Sequence, residues 1–120
     1  MTPITPEDLR TQLAQHTGSE QLFFNPLYRR LNYTEGVKQF AELAGAYWFL
    51  DIVGTEIFPL QATEDFIAIT LASSGHNAVI AATDGNEKVL FGKEIAFTDC
   101  PKGAWKFYLI DNVFLLPSEY

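Results

Sequence analysis

Two hydrophobic periods divide the chain near Pro59: apolar residues recur at helical spacing before it and alternate after it. The first helical stretch opens at Thr5-Pro6-Glu7-Asp8, which offers a capping hydroxyl, a proline at the first helical position and acids in the first turn. Leu9 and Leu13 give it a narrow apolar stripe, His16 suits the negative helix end, and Gly18 is a good left-handed stop. From Gln21 to Tyr33 no period emerges, and Pro26 makes Asn25 extended while removing a donor, so a short strand or loop is expected. Thr34 then caps a longer helix expected to reach Val53 and stop at Gly54. On it, Val37, Phe40, Ala44, Tyr47 and Asp51 share one stripe, opposite Glu35, Lys38, Gln39 and Glu42. Ala46, Phe49 and Val53 are apolar on that opposite side, so its second half should be covered on both sides.

Beyond Pro59 the texture is that of strands. Ile67, Ile69 and Leu71 alternate with Ala68, Thr70 and Ala72; Ala78 to Thr83 follows, closed by the turn signal Asp84-Gly85-Asn86. Lys88 to Thr98 puts Val89, Phe91, Ile95 and Phe97 on one face, with Gly92 at a bulge and Lys93 breaking the alternation. After Cys100-Pro101-Lys102-Gly103, the residues Trp105, Phe107 and Leu109 alternate with Lys106, Tyr108 and Ile110, and Asp111-Asn112 turns the chain into Val113 to Leu116. The expected fold is α+β: two N-terminal helices packed on an antiparallel sheet of four or five strands, in a single α+β domain spanning residues 1–120.

One residue is out of place in this pattern. Asp51 falls at the centre of the long helix's apolar stripe and in its last turn, where the helix dipole disfavours a negative charge. A carboxylate there needs a cationic or hydrogen-bonding partner, and Arg29 and Arg30 are the unusual cations nearest in sequence. Tyr47 lies one turn before Asp51, and Tyr33 follows the arginines closely. Arg29, Arg30, Tyr33, Tyr47 and Asp51 are therefore the candidate ligand-binding residues, arranged to hold a small anion between guanidinium donors and tyrosine hydroxyls. The competing reading is structural: one arginine neutralises Asp51 and the other is solvated.

Other chemistry finds little footing. His16, His76, Asp99 and Cys100 have metal-compatible atoms but no ligand spacing, and no glycine-rich pattern suggests a nucleotide, so neither metal nor cofactor is expected. Ser73-Ser74-Gly75-His76-Asn77 reads as a hairpin loop, since adjacency in a turn does not aim a base at a nucleophile. The formal charge of −7 and pI near 4.6 oppose general binding to nucleic acid or to an anionic membrane. A lone cysteine, an amino terminus without a basic and apolar leader, and the lack of a long apolar run lead to the expectation of a cytoplasmic protein. Hydrophobic residues make up 48% and charged residues 19%, slightly less charge than usual, which leaves room for an apolar interface.

Two stretches carry a resemblance: Asn25-Pro26-Leu27-Tyr28-Arg29-Arg30 running into Tyr33 to Val37 and Ala44 to Asp51, and the ending Leu116-Pro117-Ser118-Glu119-Tyr120. Together they resemble a small bacterial family of uncharacterised proteins, a domain of unknown function associated with cyanobacteria and mobile elements. The resemblance implies a stand-alone domain from about Leu9 to Tyr120 and transfers no activity or catalytic residue. The leading expectation is a non-catalytic protein-interaction or accessory domain, with Phe49, Val53 or the final strand mediating homodimerisation. The alternatives are a small anionic-ligand binder or enzyme using the Arg/Tyr/Asp pocket, and an acidic inhibitor of a nucleic-acid-binding protein.

Overall fold

A computed structural model describes residues 4–15, 22–24, 31–86, 88–98 and 100–119. Helix α1, Pro6–Leu13, begins as its cap signal predicts, with Thr5 Oγ1 accepting the Asp8 N–H at 3.2 Å and with Leu9 and Leu13 buried. His16, Gly18 and Asn25 to Arg30 lie outside the described residues. Helix α2, Glu35–Ala44, is capped by Thr34, whose Oγ1 accepts the Val37 N–H at 3.4 Å.

The long helix expected from Thr34 to Val53 is broken. Gly45 ends α2 in the left-handed region at φ 63°, and a separate helix α3 spans Tyr47–Ile52. A π-helical turn at Val53–Ile57 and a 3₁₀ turn at Phe58–Ala62 carry the chain on from there. The break explains the two apolar faces. In α2 the buried positions include Val37, Phe40, Ala41 and Ala44; after Gly45 they are Ala46, Phe49, Leu50, Val53 and Ile57. The stripe therefore advances by two residues at the break, about 200° on an unbroken helix, which exchanges the two sides. Ala46, Phe49 and Val53 face the core, and Tyr47 and Asp51 are turned outward.

Among the described residues seven strands form one mixed sheet in the order β1-β2-β7-β6-β3-β4-β5. They are β1 Leu22–Phe24, β2 Asn32–Thr34, β3 Phe66–Ser73, β4 Ala78–Thr83, β5 Val89–Ile95, β6 Gly103–Ile110 and β7 Val113–Leu115. All neighbours are antiparallel except β2 and β7, which run parallel. The α+β class holds; the expected sheet of four or five strands was too small, because β1 and β2 have three residues each and leave no room for alternation to show.

The helices cover one face of the sheet. Ile67, Ile69 and Leu71 of β3, Ile80 and Ala82 of β4, and Trp105, Phe107 and Leu109 of β6 point into this core. Its centre is a ring cluster in which Phe107 lies 5.0 Å from Phe40, 5.1 Å from Phe49 and 5.2 Å from Phe114. Offset and edge-to-face rings at such separations add about 0.5–1.5 kcal/mol per pair beyond burial. On the edge strand β5, Phe91 and Ile95 are half-buried, while Val89 and Phe97, expected beside them, are 70% and 89% exposed. A register shift next to Thr83 displaces Val89, and Phe97 lies beyond the end of the strand. Lys93 sits on the core side at this edge and reaches Glu56 at 2.9 Å, an inward charge that protects the strand edge from pairing with another chain.

The chain's end is fastened to α2. The 3₁₀ turn Pro117–Glu119 places the Glu119 carboxylate at the helix N-terminus, where Oε1 accepts the Thr34 hydroxyl at 2.6 Å and Oε2 accepts the Gly36 N–H at 3.3 Å. Oε1 also accepts the Leu116 N–H at 3.1 Å. A Cβ on Gly36 would stand 2.5 Å from Glu119 Oε1, so the close approach requires glycine there.

Candidate functional site

Of the five candidate ligand-binding residues, Arg29 and Arg30 lie outside the described residues. Tyr33, at the centre of β2, is half-buried, and Tyr47, at the start of α3, is exposed. The group that joins them is Glu42 on the last turn of α2, whose carboxylate accepts the Tyr47 hydroxyl at 3.2 Å. Burial and then the nearby Glu42 charge raise both phenols above their ordinary value, and each tyrosinate would be repelled by that carboxylate. Asp51 is exposed on the same side. The desolvation argument for a cationic partner therefore lapses, because its premise was an unbroken helix. The two residues named for an interface, Phe49 and Val53, are fully buried in the core and present no surface to a partner.

The open feature of the molecule is the other face of the sheet. Strand register arranges its side chains in rows: Glu94, Val79, Ala72 and Ala104; then Gly92, Ala81, Thr70 and Lys106; then Thr83, Ala68 and Tyr108; then Phe66, Ile110 and Val113. Ala72, Gly92 and Ala104 are exposed and Val79 is 45% exposed, so no described element covers this region. Its middle is built from small residues, and only Glu94 and Lys106 carry charge, at opposite flanks. At the end nearest the β6–β7 turn the Phe66 and Tyr108 rings pack at 4.9 Å. Phe97 adds an exposed aromatic ring just past β5.

At a strand spacing of about 4.8 Å and a same-face repeat of about 6.8 Å, each position spans about 33 Å², and these roughly fourteen positions about 450 Å². A face of that size is within the about 300–600 Å² that the largest patch of a typical single chain spans, and such patches are often functional. The sequence contained the signal. The outward positions of β3, Ala68, Thr70 and Ala72, carry no charge, where a solvated face normally would.

Among the described residues no group of three or more metal-compatible side chains comes together, and no helix is long and apolar enough to cross a membrane. A family model with the description Family of unknown function (DUF6876) matches residues 7–120, nearly the span that the resemblance in sequence implied. No curated protein and no solved structure matches the chain.

Proposed function

The chain belongs to this family of unknown function, and we propose that it is a non-catalytic protein-interaction domain that self-associates through the open face of its sheet. The observation that carries the reading is the set of small, uncharged residues at the centre of that face, half-buried Ala68, Thr70 and Ala81 and exposed Ala72, which no described element covers. Short side chains let two sheets approach closely over a flat area, as the inner faces of a sandwich do. A second copy is the occupant that the charges favour. With a formal charge of −7, two chains repel over most of their surfaces, whereas this face holds one acid and one base. A two-fold axis along the strands sets β6 of one chain against β5 of the other, so Lys106 meets the neighbourhood of Glu94 rather than its own kind.

The area limits the strength. About 450 Å² of projected surface per partner falls below the ~800 Å² of a standard interface, which describes a reversible dimer in the micromolar-to-millimolar range. The edge strand is the less suitable route, because Lys93 guards it. The test is a dilution series of the ¹⁵N-labelled protein: amide shifts of Thr70, Ala72 and Ala81 should move together with concentration. Shifts that stay fixed, or that move only in the helices, refute the reading.

The alternative of a small anion held by Arg29, Arg30, Tyr33, Tyr47 and Asp51 draws support from the meeting of Tyr33 and Tyr47. It is opposed by Glu42, whose carboxylate sits with the two phenols and would repel an anionic ligand. Retention of a small anion by the purified protein, lost on Tyr47→Phe, would favour it.

A further inference from the structure

A second feature lies beside the open face and shares Ala104 and Lys106 with it. Strand β7 pairs with β6 only over Tyr108–Ile110, so the first half of β6 has β3 on one side and, among the described residues, no strand on the other. The hydrogen-bonding sense of this edge follows from the turn. Asp111 and Asn112 have φ 49° and 64°, the signature of a two-residue type I′ hairpin, whose closing pair Ile110 and Val113 exchanges both bonds. By alternation, Ala104 and Lys106 also aim their N–H and C=O groups away from β3. Continuing the register would set Pro117 opposite Lys106, but proline has no N–H to offer, and Glu119 turns the chain away toward α2.

What stands beside that edge is a cleft of about 300 Å³. Its walls are Leu13 of α1, the helix's C-cap Ala14, and Leu116 and Pro117, with Trp105 as the floor. Trp105 is fixed by the bond from its Nε1–H to the Pro101 carbonyl at 2.9 Å. The Arg10 guanidinium lies over the indole, 5.0 Å from its centroid. A Cβ on Gly103 would fall 2.8 Å from Arg10 Nη2, so the guanidinium's place depends on that glycine, which has φ 153°. Among the described residues Arg10 forms no ion pair, on a chain with nearly twice as many acids as bases.

We propose that this cleft binds an extended acidic peptide of a partner protein, added as a short strand beside β6. Its main chain pairs with Ala104 and Lys106, an apolar side chain enters between Leu13 and Leu116, and a carboxylate meets the Arg10 guanidinium. Main-chain bonds supply affinity in such strand additions and the pockets supply selectivity. The arginine favours a carboxylate because its planar donors match one bidentately. A side-chain acid and a free C-terminus present the same group, and the peptide's terminus is therefore varied in the test.

The experiment pans a phage-displayed library of random ten-residue peptides against the full-length protein. Selected sequences are then synthesised with free and amidated C-termini and titrated into ¹⁵N-labelled protein. The expected result is enrichment of alternating apolar and acidic sequences whose binding shifts the Ala104 and Lys106 amides. Loss of affinity on amidation assigns the carboxylate to a C-terminus; unchanged affinity assigns it to a side chain. Arg10→Glu, an exposed position, should weaken binding about tenfold or more, and replacing the peptide's acid by lysine should restore it. Ala104→Pro removes only the outward N–H of an edge position and should weaken binding without unfolding the chain, as the melting curve verifies. No enrichment, peptides that bind Arg10→Glu equally well, or shifts confined to other regions would overturn the proposal.

Discussion

Removal of the Glu119 carboxylate is the sharpest test of how this fold is closed. Among the carboxylate's partners are one hydroxyl and two backbone N–H groups, which it accepts at distances of 2.6 to 3.3 Å at the positive end of α2. Hydrogen bonds to a charged acceptor are each worth about 1.5–3 kcal/mol when fully enclosed. Three at that value would overstate the effect, because the carboxylate is only half-buried and is well solvated in the unfolded chain. The deletion leaves the Gly36 and Leu116 N–H groups to find water, and it removes a charge that complements the helix dipole. We expect Glu119→Ala to lose about 2 kcal/mol, and Glu119→Gln, which keeps one acceptor, about 1 kcal/mol. For a domain of this size the alanine variant should melt about 6–10 °C lower. Urea denaturation with an unchanged slope would assign the loss to the folded state. An alanine variant within about 0.5 kcal/mol of the parent would refute the reasoning.

Gly36→Ala tests the same clasp from the helix side. Its new methyl would meet Glu119 Oε1 at 2.5 Å and Leu116 Cδ1 at 2.6 Å, so a loss of about 1–3 kcal/mol is expected despite alanine's better helix propensity. In the Glu119→Ala background that loss should shrink, as a double-mutant cycle in urea would show. Gly45→Ala meets no neighbouring atom, yet at φ 63° the side chain is strained, and about 1 kcal/mol should be lost in the same assay. The Cys100 thiol, pushed by burial from its ordinary 9.0 up to about 11, should resist alkylation in the native protein at pH 8 and react on unfolding. Because the folded thiol holds its proton more tightly, its contribution to stability is present below about pH 9 and is lost between about pH 9 and 11. Comparison of urea midpoints for the parent and Cys100→Ala across that range checks the sign.

The legibility of this fold in its sequence was uneven, for physical reasons. Thr5 and Thr34 announced their helices because a capping hydroxyl acts locally, and β3, β4 and β6 showed themselves because six or more residues display alternation. The helix break was also present, as Gly45 followed by a two-residue advance of the apolar stripe, but a periodicity that fits an unbroken helix over Val37 to Asp51 hid it. That error made Asp51 a buried acid and made Phe49 and Val53 surface residues, and the structure reverses all three. Over β1 and β2 the sequence allowed a short strand or loop without choosing between them, because three residues show no alternation and β2 is placed in the sheet by its long-range parallel contact with β7. The Glu119 clasp spans 85 residues and follows from no local rule. Composition gave a partial hint of the open face, through the low share of charge, without placing it.

Sedimentation equilibrium of the protein and of its Ala81→Arg variant, from micromolar to millimolar concentration, tests the central claim most directly. Ala81 lies in the middle of the open face, where an arginine would hold two sheets apart and cost the isolated domain little. The account predicts a reversible monomer–dimer equilibrium for the parent and a monomer throughout for the variant. A parent that stays monomeric over the whole range, or a variant that dimerises as the parent does, would contradict it.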